Sequence, residues 1–393
     1  MPSQFKHLAP ALAREAGNQV VFVTRRTDID LPGVRRVSYA PARTARGSTH
    51  HYVRLYENSV LHGQQVLRAC QDLLREGFRP DLIVAHPGWG EAMFLKDIFP
   101  RTPLLNYCEF YYHGTGADIG FDPSMPAGLD AMCRARARNA HLALSLESCD
   151  HGISPTQWQR DSHPVPFRDK ISVIFDGIDT DAVKPVTDTR FVLPDGRVLT
   201  RDDTVVTYIA RNLEPYRGFP SFMRAVPQIL ARCPDAQIVI VGGDEVSYGR
   251  DAPEGKSWRQ TMLDEVGPLD PARVHLFGRL PYRSYLALLG VSTAHVYLTV
   301  PFVLSWSCME ALAMGCLVIG SRTPPVTEVI EDGRNGLLVD FLKPNEIASR
   351  VAEAVANRRG LGVVRGRARE TVLARYDLAH CLPAQQRLLR SLI

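Results

Sequence analysis

The chain has 393 residues, 45% of them hydrophobic and 22% charged, which excludes long disorder and exceeds one comfortable core, so two domains are expected. A net charge of only +4, from 46 Lys+Arg against 42 Asp+Glu, excludes a nucleic-acid footprint. The eight cysteines are scattered without a Cys-x-x-Cys pair, which argues against a zinc site and for buried thiols in a reducing compartment.

Taken in order, Gln4 to Ala16 reads as an amphipathic helix and Gln19–Thr24 as a strand. A doubly wound domain starts with a strand whose glycine-bearing loop leads into the first helix. Met1, Pro2 and Ser3 stand where that loop would end, which predicts that the first strand is missing or that the true start lies upstream. Arg36–Tyr39 is a predicted strand, and Tyr52 to Gly77 a long helix with Leu55, Val60, Val66, Leu67, Leu73 and Leu74 at helical spacing. Asp81–Ala85 is a buried strand. The segment from His86 to Glu91 then forms a strand-to-helix turn, and the helix N-terminus behind it suits an anion. Pro103–Tyr107 is a further strand running into the loop Glu109-Phe-Tyr-Tyr-His113. A helix over Leu129–Ala140 and short strands at Gly152–Ser154 and Lys170–Phe175 follow.

Ala182 to Asp203 shifts to Pro, Thr and Asp and reads as a linker. The second half repeats a β/α rhythm, with strands at Val205–Ala210, Gln237–Val241, Val274–Phe277, Ala294–Thr299, Leu317–Ile319 and Gly336–Val339. Helices are expected at Phe219–Arg232, Ser257–Glu265, Tyr282–Leu289, Ser307–Met314, Pro344–Asn357 and Arg365–Arg375, and a last one from Asp377 to Ile393. Such alternation means a parallel sheet with helices on both faces. The fold class is therefore α/β, with two Rossmann-like doubly wound domains facing across a cleft. The domains are expected at 1–183 and 204–376, joined by a linker over 184–203, with the helix 377–393 returning to the first.

Two segments carry the chemistry. Ala210 to Gly218 follows the first strand of the second half and opens a helix, placing Arg211 and Arg217 beside a helix N-terminus. Two guanidiniums with free N–H groups suit a diphosphate, although the loop also reads as a solvated basic turn. In the stretch Tyr297 to Asp340, Glu310 lies on a helix that Gly315 stops. Its carboxylate suits the vicinal hydroxyls of a ribose, or is a helix-terminal Glu held by the dipole. Both segments lie at the C-terminal ends of strands, where open α/β sheets bind ligands.

With those residues in view, the chain resembles the retaining, nucleotide-sugar-dependent glycosyltransferases of the GT-B fold and family 4 type (glycosyl transferases group 1). The likeness is carried by Arg211 with Arg217-Gly218, and by Glu310-Ala-Leu-Ala-Met-Gly315 with Leu317-Val-Ile-Gly320. It extends over Pro325-Val-Thr-Glu328, Asn335-Gly-Leu-Leu-Val339 and Ser172 to Asp179. The resemblance implies sugar transfer with retention from a nucleotide-diphosphate sugar to an acceptor hydroxyl, and neither a cofactor nor a metal. Arg211 and Arg217 would hold the diphosphate, where Arg217 replaces the family's usual Lys. Gly218, Glu310 and Glu328 would complete the donor site with the backbone N–H groups of Leu304, Ser305 and Trp306. The family's other acidic residue falls eight positions before Glu310, and here that position is Phe302.

In the first domain His86 and Glu109 are the catalytic candidates, with Glu91, Tyr112 and His113 on the acceptor side. A buried, hydrogen-bonded His is the plainer account of His86. A sugar, a lipid-linked compound or a small molecule is the expected acceptor, no nucleic acid is expected, and oligomeric state is open. A cytoplasmic protein is expected, with contact at the inner face of the membrane possible. A second reading keeps the nucleotide pocket but loses transfer through Phe302, giving a binding subunit.

Overall fold

A computed structural model describes residues 3–393. Met1 and Pro2, where the sequence places the end of a first loop, lie outside the described residues. The chain forms two compact units: one runs to Gly177 and includes Leu378–Ile393, the other is Ile178–Asp377.

The first unit holds two parallel sheets. Strands β1 (Val20–Thr24) and β2 (Val34–Ser38) pair with each other. Strands β3 (Ile83–Ala85), β4 (Leu104–Tyr107), β5 (His151–Ser154) and β6 (Ile171–Val173) form the second sheet in that order. No strand precedes β1 among the described residues. Phe22 of β1 and Val84 of β3 nevertheless pack in one core with Phe5, Leu8, Tyr107 and Ile153. The C-terminal helix Leu378–Arg390 belongs to this unit. Its Leu389 enters the same core, Gln385 Nε2 donates to Phe175 O at 3.0 Å, and Arg390 pairs with Glu15 at 2.7 Å.

Several elements depart from the expected bounds. The first helix is a 3-10 turn, Ser3–Phe5, and then Leu8–Ala13. A second helix, Ala140–Ser148, continues after Leu129–Arg138, because Asn139 keeps helical φ/ψ between them. The turn after β3 leads to no long helix. Pro87–Trp89 is one 3-10 turn, Gly90 follows at φ +98°, and the next helix is only Leu95–Ile98. A Cβ on Gly90 would stand 2.2 Å from Ser59 O, so the long helix Arg54–Arg75 and this turn can meet only through a glycine.

The second unit begins with a hairpin where a linker was expected. Strands β7 (Phe191–Val192) and β8 (Val198–Leu199) pair antiparallel, and Phe191 stacks edge-on against Phe277 at 5.5 Å. Buried Phe191, Leu193 and Leu199 anchor the segment 184–203 to the unit, so it is folded structure despite its turn-rich composition.

Six parallel strands follow: β9 (Val205–Asn212), β10 (Gln237–Gly243), β11 (Val274–Phe277), β12 (Ala294–Tyr297), β13 (Val318–Ser321) and β14 (Leu337–Val339). Their spatial order is β11-β10-β9-β12-β13-β14, so the order reverses between β9 and β12. The strands read as continuous apolar runs because helices cover both faces. Tyr208, for instance, stacks on Phe222 of the helix Phe219–Arg232 at 4.8 Å. Burying each such ring contributes roughly 1.5–3 kcal/mol. No helix among the described residues is long and apolar enough to cross a membrane.

Candidate functional site

The reversal between β9 and β12 opens a crevice at the C-terminal ends of those strands, the usual ligand position in such sheets. Arg211 is the next-to-last residue of β9, extended and exposed, where a loop position was expected. A 3-10 turn, Pro215–Arg217, then leads to Gly218 at φ +69° and into the helix Phe219–Arg232. A Cβ on Gly218 would stand 2.5 Å from Leu298 Cβ, so glycine lets this turn close onto the chain after β12. Arg217 reaches across that closure. Its Nη1 donates to Thr299 Oγ1 at 2.9 Å and to Val303 O at 3.2 Å, which orients the guanidinium.

Glu310 lies on the helix Trp306–Ala313 and is 9% exposed. Both its oxygens accept tyrosine hydroxyls, Tyr282 at 2.7 Å and Tyr285 at 2.8 Å. Burial and then the Glu310 charge push both hydroxyls above the ordinary tyrosine pKa, so they stay protonated donors. A carboxylate offers about four lone-pair sites, so two tyrosines leave acceptor capacity for a diol. The sequence reading missed this pair, although Tyr282 and Tyr285 stand one helical turn apart on the helix Tyr282–Val291.

Phe302 is 3% exposed and fills its position with aromatic packing, against Tyr216 at 5.6 Å and Tyr248 at 5.0 Å. Tyr248 is held in turn by Glu214, whose Oε2 accepts the backbone N–H groups of Ser247 (3.1 Å) and Tyr248 (2.8 Å). Burial raises the Glu214 pKa, opposed by those N–H groups and by the charges of Arg217 and Arg211.

Two donor-site expectations need correction. The N–H of Ser305, expected to face a ligand with those of Leu304 and Trp306, donates to Tyr297 Oη at 2.9 Å. Tyr297 sits on the strand directly below, and its ring puts the hydroxyl within reach. Glu328 lines a cavity of about 680 Å³ with Arg334, Arg367 and Arg375, and none of Arg211, Arg217 and Glu310 lines that cavity. The C-terminal position of Glu328 on the short helix Pro324–Thr327 turns it toward the helix Gly362–Arg375.

In the first unit, His86 follows β3 and Glu109 follows β4, so adjacent strands bring them together. His86 Nε2 stands 3.4 Å from Glu109 Oε2, an ion-pair distance without hydrogen-bond alignment. His86 Nδ1 accepts the N–H of Gly88 at 3.1 Å, which places the ring proton on Nε2, toward Glu109. That same bond takes up an N–H the turn was expected to offer an anion. Burial disfavours the charged imidazolium, but Glu109, with Glu91 and Asp176 behind it, raises the pKa on balance. The ring stacks on Tyr107 at 5.4 Å and tilts against exposed Trp89 at 4.9 Å. Tyr107 in turn donates to Asp176 at 2.9 Å, and Gln4 Nε2 donates to Glu109 Oε1 at 3.1 Å; the sequence reading singled out none of these three.

The expected acceptor-side residues are bonded to other groups of the unit, although the Glu91 charge reaches His86. Glu91 Oε1 accepts Tyr39 Oη at 2.8 Å, tying it to the contact between Tyr39 and His62. Tyr112 exchanges backbone bonds with the Asn139 amide and lies under Arg138 at 3.8 Å. His113 Nε2 donates to Ser162 O at 2.6 Å. The bonds of Tyr112 and His113 pin the loop after β4.

Two Asp-x-Asp pairs occur, and neither lies at the donor loops. Asp28 pairs with Arg26, and Asp179 Oδ1 caps the N–H groups of Asp181 (3.2 Å) and Ala182 (3.1 Å).

Comparison with known proteins adds the family. Residues 16–183 match the family model described as glycosyl transferase family 4 group, and residues 203–357 match that of glycosyl transferases group 1. The chain is 27% identical over 223 residues to alpha-maltose-1-phosphate synthase of Mycolicibacterium smegmatis, covering 54% of each. It is 28% identical over 191 residues to a GDP-mannose-dependent phosphatidylinositol monomannoside mannosyltransferase of the same organism, covering 47% of this chain and 46% of that protein. The chain thus spans about half the length of the curated relatives it matches. Sucrose-phosphate synthase from Thermosynechococcus elongatus shares the fold at a TM-score of 0.70 and 20% identity, over 98% of this chain and 91% of that one. Anabaena HepE, solved in complex with UDP-glucose, does so at 0.63 and 16%, over 91% and 86%.

Proposed function

The chain belongs to the family 4 and group 1 type of GT-B glycosyl transferases, and from that premise we propose that it moves a sugar from a nucleotide-diphosphate sugar to an acceptor hydroxyl. One observation carries the reading: Arg211, Arg217 and Glu310 all sit on segments leaving the C-terminal ends of β9 and β12, where the strand order reverses. Two guanidiniums neutralise the diphosphate, and the carboxylate accepts the ribose hydroxyls.

Transfer proceeds with retention and without a metal. The departing diphosphate is stabilised by Arg211 and by Arg217, whose fork Thr299 and Val303 hold in place. The acceptor hydroxyl attacks from the face the diphosphate leaves, so no protein nucleophile is needed. His86 and Glu109 serve the acceptor side, and the acceptor is a sugar, a lipid-linked compound or a small molecule. Phe302, packed against Tyr216 and Tyr248, leaves an apolar position where a carboxylate stands elsewhere in the family. The binding-subunit reading gains no support from relatives whose printed names are those of a synthase and a mannosyltransferase.

The test is a thermal-shift screen of UDP-, GDP-, ADP- and TDP-sugars, followed by NMR of the product anomer with the donor that binds. A product of inverted anomeric configuration overturns retention. Nucleotide binding without turnover over a broad acceptor panel overturns the enzyme reading.

A further inference from the structure

The second unit carries a cavity of about 1030 Å³ on the edge of its sheet opposite Arg211 and Arg217. Its walls come from Arg201 and Asp202 ahead of β9, Leu289–Ser292 ahead of β12, Met314–Cys316 ahead of β13, and the segment from Ala356 to Leu373. These are the N-terminal ends of the strands, so the cavity is separate from the crevice described above.

Five arginines line it: Arg201, Arg358, Arg359, Arg365 and Arg369. Only two carboxylates do, Asp202 and Glu370, and among the described residues neither forms an ion pair with any of the five. Backbone carbonyls hold the guanidiniums instead. Arg201 Nε donates to Gly290 O at 3.0 Å, and Arg358 Nη1 to Asp202 O and Asp203 O at 3.2 and 3.1 Å. Arg365 donates to Ser292 O and Thr293 O, and Arg369 to Ala313 O at 2.6 Å and Val183 O at 3.1 Å. The Arg359 side chain makes no hydrogen bond among the described residues. Burial, and then the charges of Arg358 and Arg201, hold Arg365 below the usual arginine pKa, so like charges face one another here.

Capping of strand and helix ends by arginine explains the carbonyl bonds but not the convergence. A guanidinium has five N–H donors, and the carbonyls engage only part of each fork. Both Nη groups of Arg201 and the Nη2 group of Arg358 are left over, on arginines whose orientation is already fixed. Rigid forks lose little entropy when they take a phosphate, and a phosphoryl group would relieve the mutual repulsion.

We propose that this cavity is a second anion site, which takes the phosphoryl group of a small phosphorylated compound such as a sugar phosphate or a diphosphate. The cavity is at the upper end of the roughly 300–1,000 Å³ usual for small-molecule sites, so it has room for a sugar as well as the phosphate. The proposal does not rest on the nucleotide-sugar reading.

Calorimetric titrations of inorganic phosphate, pyrophosphate and glucose 6-phosphate into the full chain test it, in wild type, Arg211→Ala and an Arg201→Gln/Arg359→Gln variant. The expected result is inorganic phosphate and glucose 6-phosphate bound with equal affinity in wild type and Arg211→Ala, and about tenfold or more weaker in the double variant, with pyrophosphate also occupying the Arg211 crevice in wild type. The preferred ligand of the three then identifies what carries the phosphoryl group. Arg359→Gln alone, at an exposed side chain with no hydrogen bond, repeats the measurement should the double variant not fold. Three results overturn the proposal: no anion bound, inorganic phosphate and glucose 6-phosphate bound as tightly by the double variant as by wild type, or their binding lost in Arg211→Ala.

Discussion

The hydroxyl of Tyr285 donates to Glu310 Oε2 at 2.8 Å across 25 residues of sequence. With Tyr282 on the other oxygen, the carboxylate is fixed before any ligand arrives. Tyr285→Phe removes one bond to a charged group, a loss of about 1.5–3 kcal/mol in orientation and stability together. Nucleoside diphosphate affinity should drop, and the preference for ribose over 2′-deoxyribose should narrow. Calorimetry with the two nucleotides checks this; an unchanged ribose preference means the tyrosines only pack.

Arg211→Ala and Glu310→Ala should each weaken nucleoside diphosphate binding about tenfold or more, since each deletes a charge-assisted contact. Arg211 is exposed on its strand end, so its loss should leave the unfolding temperature nearly unchanged. If calorimetry gives wild-type affinity for both variants, the donor site lies elsewhere.

Phe302→Glu restores the family's acidic residue but buries a carboxylate between Tyr216 and Tyr248. The lost aromatic packing and the unpaired charge together should cost about 3–5 kcal/mol. Denaturant unfolding should therefore show a marked drop for Phe302→Glu and a small one for Phe302→Leu. A Phe302→Glu chain as stable as wild type would falsify the packing role.

His86 and His295 pull the pH dependence of stability in opposite directions. The folded His86 pKa is raised, so its contribution is full below the ordinary histidine value and is lost as pH rises through the folded value. His295 is pushed down to about 4 by burial, so its contribution is full above the ordinary value of about 6.5 and is lost as pH falls toward 4. Chemical denaturation across pH 4–8 should show the destabilisation by His86→Gln shrinking as pH rises. An imidazole NMR titration should find His295 neutral at pH 5. A His295 charged at that pH contradicts the assignment.

Transfer activity should be the same with added Mg²⁺ and with EDTA, because Arg211 and Arg217 supply the positive charge at the diphosphate. Strict dependence on a divalent ion would sink that mechanism.

Arg211, Arg217 and Glu310 were legible in the sequence because strand and helix periodicity is local. The apolar runs of β9 and β12 mark where each strand ends, and parallel α/β connectivity puts both ends on one edge of the sheet. The sequence by itself therefore determined the doubly wound second unit and the position of its crevice. It did not show that 184–203 folds as a hairpin, because Phe191 and Leu199 are buried only against partners such as Phe277. Nor did it show that Tyr282 and Tyr285 hold Glu310, that Phe302 packs on Tyr216 and Tyr248, or that His113 ends on Ser162. Each is a contact between separate elements, set by how helix and loop surfaces meet above the sheet. Periodicity records which face of an element is buried, but only the packed tertiary structure decides which side chain lies opposite.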